Sequence, residues 1–294
     1  MRRQAQTDRE IREREVLEDA ISKESRAGQR RLERACETGA WLTTTPNHLN
    51  GTVLSADEFR DSLRLRYGLV PTNLPTQCDG CGERFGVQHA LSCKKGGLVV
   101  ARHNEVAGEW HTLCARALTA AAASDEPLIH TSQPATPATR APGTQATVDP
   151  ETRGDVAVRG FWKRGTTAIF DIRVTDTEVG RQRGQDPAKV LARHEKEKKD
   201  KYLEPCLARR RQFTPLVFSV DGMRGAEATA ASKRLASLLS KRWNRPYSQV
   251  CGFVRSRLSM ALVRATSLCL RGSRDPVERA PTFQWESGTG LMLY

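Results

Sequence analysis

Two aspartates in neighbouring apolar runs are the residues of this sequence best suited to do chemistry. Asp155 opens the run GDVAVRG, and Asp171 interrupts the run TTAIFDIRV at its middle. An aspartate inside an apolar strand loses its hydration unless it binds a cation or accepts hydrogen bonds. Paired carboxylates are also ligands that Mg²⁺ prefers, and bound Mg²⁺ can activate water for phosphodiester hydrolysis. The pair therefore predicts a catalytic magnesium site of the kind that nucleases use.

A lysine-dense segment follows the second aspartate. It is predicted to be helical from about Pro187 to Arg211, and it contains Lys198 and Lys201, with Tyr202 completing the run. A lysine ammonium close to a metal site can stabilise the charge that develops on a phosphate. For any single lysine the alternative is a solvated helix face, which we expect for most of them.

Three cysteines and one histidine form a second candidate site in the segment CDGCGERFGVQHALSC. Two residues separate Cys78 from Cys81, and three residues separate His89 from Cys93. Two such pairs supply the four ligands of a closed tetrahedral zinc site. A closed site has no open position for a substrate, so its predicted role is structural. The alternative is three buried cysteines that lie near a histidine.

A long helix is predicted to begin at Leu98, because Val106, Trp110 and Leu113 recur on one face. Either Glu105, near the start of this helix, or Glu109, one turn beyond it, could supply a third carboxylate to a metal site. A solvated helix charge is the alternative, and the sequence leaves the two open.

The elements that position these side chains follow from periodicity. The two aspartate runs predict two strands joined by the turn-like WKRG, and TPLVFSVDG predicts a third strand. Further helices are predicted at about residues 8–36, after a capping box that begins at Ser55, and at about residues 224–243 and 247–270. The segment 124–152 is rich in Pro, Thr and Ala and is predicted to be a loop, with a short edge strand at its start.

Composition indicates the kind of partner. The chain has 294 residues, a net charge of +13 and a pI near 9.7. Its basic residues recur along the whole chain, which favours nucleic acid over a membrane, although a merely soluble basic protein would share this charge. No run approaches the ~18 apolar residues of a membrane span. The cysteine spacing is not that of a secreted disulfide scaffold, so an intracellular, reduced protein is predicted.

The segments CDGCG…HALSCKKGG, RHNEV, GDV, FDIRV and EKEKKDKY, in this order, resemble the C-terminal part of site-specific non-LTR retrotransposon polyproteins. Those polyproteins carry a restriction-endonuclease-like domain behind a reverse transcriptase. The resemblance extends over residues 40–272. It implies an α/β fold of the PD-(D/E)XK type, a small mixed sheet flanked by helices, preceded by a zinc knuckle and an N-terminal helical segment. It also implies Mg²⁺-dependent cutting of target DNA, and a nuclear location.

The two strand aspartates carry most of this resemblance. Asp155 matches the first metal-binding aspartate, with Gly154 where proline often stands, and Asp171 matches the second acidic residue. Arg173 occupies the position at which many such nucleases have lysine. Both aspartates are therefore implied to be ligands of Mg²⁺.

The helices carry the rest of the resemblance. In this transposon class the lysine is typically moved to the following helix, where Lys198, Lys201 and Tyr202 match the displaced motif. Either lysine would neutralise charge on the scissile phosphate or orient the water, and Tyr202 would position the lysine or phosphate by hydrogen bonding. Glu105 in RHNEV matches the helical acid of resolvase-like nucleases. The spacing from His89 to the last cysteine is one residue shorter than is often seen in this class.

The resemblance divides the chain into a helical N-terminal segment (1–72), a zinc knuckle (73–97), a nuclease domain (98–272) and an irregular tail (273–294). The sequence contains no YxDD-type palm motif of a polymerase. A reverse transcriptase is therefore expected to be absent, lost or encoded upstream, and an upstream reverse transcriptase domain is one predicted partner. DNA is the predicted substrate, and RNA is a second candidate.

Two other functions stay open at this point. A decayed or repurposed transposon copy would be a catalytically inactive zinc-knuckle protein that binds nucleic acid. A structural zinc protein would bind protein partners instead. Metal-dependent cleavage would distinguish the nuclease from both, and a steep salt dependence of DNA binding would distinguish the first alternative from the second.

Overall fold

The structure combines eight α-helices and six strands in the residues that it describes. It is a computed structural model, and it describes residues 2–130 and 152–275. The helices are α1 (Arg2–Ser22), α2 (Arg26–Glu37), α3 (Ala56–Arg66), α4 (Val87–Ser92), α5 (Leu98–Ala117), α6 (Pro187–Ala208), α7 (Ala226–Trp243) and α8 (Tyr247–Arg271). The strands are β1 (Ala123–Asp125), β2 (Leu128–His130), β3 (Thr152–Arg153), β4 (Val156–Arg159), β5 (Thr167–Thr175) and β6 (Gln212–Ser219). None of these helices is long and apolar enough to cross a membrane.

A four-stranded sheet with the order β1-β4-β5-β6 forms the centre of the fold. The β1–β4 and β4–β5 pairs are antiparallel, whereas β5 and β6 are parallel. A parallel pair needs a crossover connection, and α6 provides it. β2 and β3 form a separate antiparallel pair. The prediction of an α/β protein with a small mixed sheet flanked by helices is confirmed.

β5 is buried on both faces, and this burial determines where Asp171 lies. On one face Phe170 packs in the main core, with its ring centroid 5.2 Å from that of Trp110 in α5. On the other face Ile169 packs with Tyr202 of α6 and Phe213 of β6. Side chains alternate along a strand, so Asp171 lies on the same face as Ile169 and is turned toward α6.

The N-terminal segment forms two helices, so the prediction of one helix at about residues 8–36 is wrong. α2 begins after Ser25, whose hydroxyl oxygen accepts a hydrogen bond from the N–H of Gly28. Serine stabilises a helix start in this way, and here it separates two segments whose charge pattern runs on continuously. The capping box of Ser55 and Glu58 at the start of α3 is confirmed.

The segment 124–152 begins with more strand than the sequence predicts. Most of β1 and all of β2 lie in it, because β1 completes the sheet beside β4 and β2 finds a partner in β3. The residues from 131 to 151, most of the predicted loop, lie outside the described residues, as do residues 276–294 of the predicted tail. The four domain boundaries therefore stay predictions.

α8 is the element against which the N-terminal part of the chain packs. Trp41 forms an apolar cluster with Met260 and Val263 of this helix. The guanidinium of Arg271 donates two hydrogen bonds to the carboxylate of Asp61 in α3, each of 2.7 Å. Helices that precede the sheet in sequence are thus fixed to the last described helix.

Candidate metal centre and candidate active site

The four predicted zinc ligands lie together. One ligand atom from each of Cys78, Cys81, His89 and Cys93 lies within 4.8 Å of the others. Cys93 Sγ is 3.9 Å from Cys78 Sγ and 3.9 Å from Cys81 Sγ, and Cys81 Sγ is 3.4 Å from His89 Nε2. Tetrahedral zinc with Zn–S bonds of about 2.3 Å separates two thiolates by about 3.8 Å. The cluster could therefore bind zinc.

Hydrogen bonds around Cys78 favour the thiolate form of its side chain. The N–H of Gly82 donates to the Cys78 carbonyl, and the N–H of Cys78 donates to the Glu83 carbonyl, each at 2.8 Å. Burial acts to raise the pKa of the Cys78 thiol, but hydrogen bonds with His89 and with nearby backbone N–H groups outweigh it and lower the pKa to about 6. The thiolate is the form that binds a metal, and this pKa favours the thiolate at neutral pH.

The Cys/His cluster, Cys78, Cys81, His89 and Cys93, is anchored to the residues that follow α8. Asp79 Oδ2 accepts hydrogen bonds from the Ser273 hydroxyl at 2.6 Å and from the Arg274 N–H at 2.7 Å. Arg274 is only 2% exposed, and its guanidinium lies 4.9 Å from the centroid of a knuckle phenylalanine ring. The Cys/His cluster is thus tied to contacts outside the segment 78–93.

Asp155 is held against β5 by backbone hydrogen bonds. Its N–H donates to the carbonyl of Phe170 at 3.0 Å, and its Oδ2 accepts from the N–H of Ile172 at 2.5 Å. These two partners flank Asp171 in the sequence, so the hairpin brings the two predicted metal-binding aspartates to the same stretch of β5.

Asp171 is a buried carboxylate that pairs with Lys198 of α6. Lys198 Nζ lies 2.7 Å from Asp171 Oδ2 and is the cation that pairs with this buried oxygen. Burial raises the pKa of the Asp171 carboxyl, and the charge of Asp155 adds to the rise while Lys198 opposes it. Asp171 is 4% exposed. Such a desolvated carboxylate is the kind of ligand that a divalent cation stabilises.

A histidine of α5 joins this group, and the sequence analysis does not single it out. His103 Nε2 lies 3.0 Å from Asp155 Oδ1, and this contact raises the pKa of His103 although burial opposes it. Helical periodicity is the signal that could have found it. Arg102, Val106 and Trp110 mark the buried face of α5, and His103 follows directly at its edge.

Glu105 is not brought to the two aspartates. The charges that act on it belong to Arg264 and Arg257 of α8 and to two other glutamates, and burial is the main cause that raises its pKa. Residues two apart on an α-helix point about 200° away from each other. Because His103 contacts Asp155, Glu105 faces the opposite side of α5.

Lys201 and Tyr202 differ from Lys198 in their surroundings. Lys201 is exposed, and its Nζ lies 4.7 Å from the centroid of the Tyr202 ring. Tyr202 is 8% exposed, its ring centroid lies 5.5 Å from that of Phe213, and Lys198 Nζ lies 5.5 Å from the same tyrosine ring. Tyr202 therefore contacts the lysines through its ring, which differs from the hydrogen bonding predicted for its hydroxyl.

A cavity of about 260 Å³ opens beside His103 and Lys198, the side chains that contact the two carboxylates, but neither Asp155 nor Asp171 lines it. Its lining includes His103, Arg173 and Lys198. Arg173 pairs with Glu197 of α6 at 2.9 Å. A cavity with several cationic side chains suits a phosphate group. A second cavity, of about 690 Å³, lies between α2, α3 and the knuckle and contains none of the predicted catalytic residues.

The donor set beside the cavity fits Mg²⁺ in its chemistry. The charge of Asp155 acts on Asp171, and both side chains offer carboxylate oxygens, the type of ligand that Mg²⁺ prefers. Within the described residues, however, the Cys/His cluster is the one group whose ligand atoms are already gathered as tightly as a bound ion requires. The carboxylates are contacted by Lys198 and His103 instead.

Comparison with known proteins gives this chain no family. No protein-family model matches the sequence, and no curated protein matches it either. The functional argument therefore rests on the two groups of side chains.

Proposed function

We propose that this protein is a metal-dependent endonuclease that hydrolyses a phosphodiester bond of DNA. The observation that carries the proposal is the ion pair between Asp171, buried in the central strand, and Lys198 of the crossover helix. A buried carboxylate, a second carboxylate on the neighbouring strand and an ammonium beside them are the groups that metal-assisted hydrolysis of a phosphodiester requires.

The topology supports a fold of the PD-(D/E)XK type. An antiparallel hairpin, a crossover helix and a parallel third strand follow one another, and α5 precedes them. The Cys/His cluster, α5, the hairpin and α6 also occur in the order in which the resembling motifs occur in non-LTR retrotransposon polyproteins. We therefore propose descent from such a polyprotein.

Asp155 and Asp171 would hold Mg²⁺. When bound, the ion would supply an activated water and stabilise the leaving oxygen. Asp155 would use Oδ1, because its Oδ2 already accepts the hydrogen bond from Ile172. Lys198 would neutralise the charge that develops on the scissile phosphate, and the Tyr202 ring would support the lysine side chain.

The Cys/His cluster would bind a structural zinc ion. All four of its ligand atoms come from the protein, which leaves no position for a substrate. Its anchoring to Ser273 and Arg274 supports a role in holding the last described helix in place.

We propose DNA as the partner, with RNA as a second candidate. The net charge of +13 supports binding to a polyanion, and the cationic cavity beside His103 and Lys198 supports contact with phosphate. A nuclear location and cooperation with an upstream reverse transcriptase domain follow from the same proposal.

Mutation of Asp171 tests this proposal. Asp171→Ala should abolish Mg²⁺-dependent nicking of supercoiled plasmid while the zinc content stays unchanged. Asp200→Ala is the matched control, because Asp200 lies exposed on α6 and pairs with Lys196 across one helical turn. Undiminished nicking by Asp171→Ala would contradict the assignment of Asp171 as a ligand of the catalytic metal ion.

A catalytically inactive DNA-binding protein is the second candidate. It is favoured by the observation that protein side chains already contact both aspartates, Lys198 at Asp171 and His103 at Asp155. Such a protein would bind DNA with a steep salt dependence and would not cleave it with any divalent cation.

A further inference from the structure

We propose that His103 is a third ligand of the metal ion held by Asp155 and Asp171, and that its nitrogen makes the site bind Mn²⁺ in preference to Mg²⁺. This inference rests on the proposed metal site and adds a ligand and a selectivity to it. It is carried by the position of His103.

The two atoms have the separation of neighbouring metal ligands. His103 Nε2 and Asp155 Oδ1 lie 3.0 Å apart. Two ligands at adjacent corners of an octahedron, each bound at about 2.1 Å, are separated by about 3 Å. The other oxygen of Asp155 accepts the Ile172 N–H, so Oδ1 is the oxygen left for both the imidazole and an ion.

Charge and access suit an ion at this position. His103 lines the cavity of about 260 Å³, whereas neither aspartate does, so the imidazole is the one of the three proposed ligands that this cavity reaches. Its side chain is 31% exposed and that of Asp155 is 21% exposed. The charges that act on His103 besides Asp155 are those of Asp171, which would share the ion, and Lys198, which would be released from Asp171 toward the substrate phosphate; Arg102 and Arg173 also line the cavity.

A nitrogen ligand changes which ion is preferred. Mg²⁺ is a hard ion that takes oxygen ligands almost exclusively, whereas imidazole is a common ligand of first-row transition ions. A site with two carboxylates and one imidazole therefore discriminates against Mg²⁺, and the same site without the imidazole discriminates much less.

A different role for the same contact is orientation of Asp155 by a hydrogen bond. The two roles differ in which atom is bound to the metal. As a ligand, the imidazole nitrogen is coupled directly to Mn²⁺, and electron spin echo spectroscopy of the Mn²⁺ complex detects this ¹⁴N coupling. As an orienting group, it gives no direct coupling and has little effect on selectivity.

The test uses the full chain with its zinc content verified by metal analysis, titrated calorimetrically with Mn²⁺ and with Mg²⁺. For the wild type we expect Mn²⁺ to bind on the order of tenfold more tightly than Mg²⁺, with ¹⁴N coupling. In His103→Ala the preference should fall to within about threefold and the coupling should vanish. His111→Ala is the matched control, because His111 lies on the same helix, is 28% exposed and has Nδ1 3.9 Å from Asp125.

The outcomes separate this inference from the proposed function. Binding of both ions that Asp171→Ala abolishes but His103→Ala leaves unchanged, without ¹⁴N coupling, would overturn the ligand role of His103 alone. Failure of the wild type to bind either ion would overturn the metal site and the proposed function with it. If His103→Ala does not fold, the ¹⁴N coupling of the wild-type Mn²⁺ complex still decides the question.

Discussion

The Cys/His cluster and the carboxylate site are two candidate metal sites that the chain builds in different ways. The cluster draws its ligands from residues 78–93, and their atoms are gathered within 4.8 Å of one another. The carboxylate site draws on α5, the β4–β5 hairpin and α6, and His103 and Lys198 contact its two carboxylates. A local turn can thus preform a metal site, whereas a site assembled across a sheet is stabilised by ion pairs that a metal must replace.

Substitution of a ligand of the Cys/His cluster should have the largest effect on stability. Cys81→Ser, or chelation of the wild type, should lower the free energy of unfolding by on the order of 5 kcal/mol, because metal binding and folding are coupled. Thermal unfolding with metal analysis would measure this. Cys251→Ser, on α8 and outside the cluster, should stay close to the wild type. Equal stability of Cys81→Ser and the wild type would mean that the cluster is not a structural metal site.

Substitution of Tyr202 tests whether the carboxylate site depends on the packing of this ring beside Lys198. Tyr202→Ala should lower the free energy of unfolding by about 3 kcal/mol, because it removes a buried ring that packs on Phe213. Tyr202→Phe keeps the ring and should retain both stability and nicking. Loss of nicking in a stable Tyr202→Phe protein would instead assign the role to the hydroxyl.

Substitution of the two lysines of the displaced motif, Lys198 and Lys201, should affect nicking to different extents. Lys198→Met should reduce nicking by about 100-fold, because Lys198 lies against Asp171 beside the cavity. Lys201→Met should leave most of the activity, because Lys201 is exposed and contacts the outer side of the Tyr202 ring. Single-turnover nicking rates would measure both. The reverse ranking would assign the phosphate contact to Lys201.

Glu105 belongs to neither site, and its substitution should have the smallest effect on stability and none on nicking. Burial raises the folded-state pKa of Glu105 above its unfolded value, so its ionised form is unfavourable at neutral pH. This penalty disappears as the pH falls through the raised pKa toward the usual range of a glutamate. Glu105→Gln should therefore be more stable at pH 7 by up to about 1 kcal/mol, with an advantage that shrinks in acid.

Urea unfolding of Glu105→Gln and the wild type across this pH range would check the prediction. Nicking by Glu105→Gln should equal that of the wild type. A lower stability of the variant at neutral pH would mean that the arginines of α8 stabilise the carboxylate more than burial penalises it.

Signals from residues close in sequence are enough to predict much of the fold. The paired strands around Asp155 and Asp171, the capping box at Ser55 and the Cys/His cluster all depend on residues close in sequence, and the structure contains each of them. The interruption at Ser25 shows that one capping residue can divide a helix whose charge pattern is continuous.

The carboxylate site could be predicted only in part, because its geometry depends on how helices face the sheet. The choice between His103 and Glu105 depends on the rotation of α5, which the core packing of Trp110 fixes. The choice between Lys198 and Lys201 depends in the same way on the rotation of α6. Periodicity predicts which face of a helix carries such residues, but it does not predict which element packs against that face.

Metal-dependent nicking by the zinc-loaded wild-type protein tests the central claim most directly. Supercoiled plasmid would be incubated with protein freed of other divalent cations, and then with added Mg²⁺ or Mn²⁺. The account predicts that nicked product appears only with the added ion and is lost in Asp171→Ala. DNA binding with a steep salt dependence, but without nicking at any concentration of either ion, would contradict it.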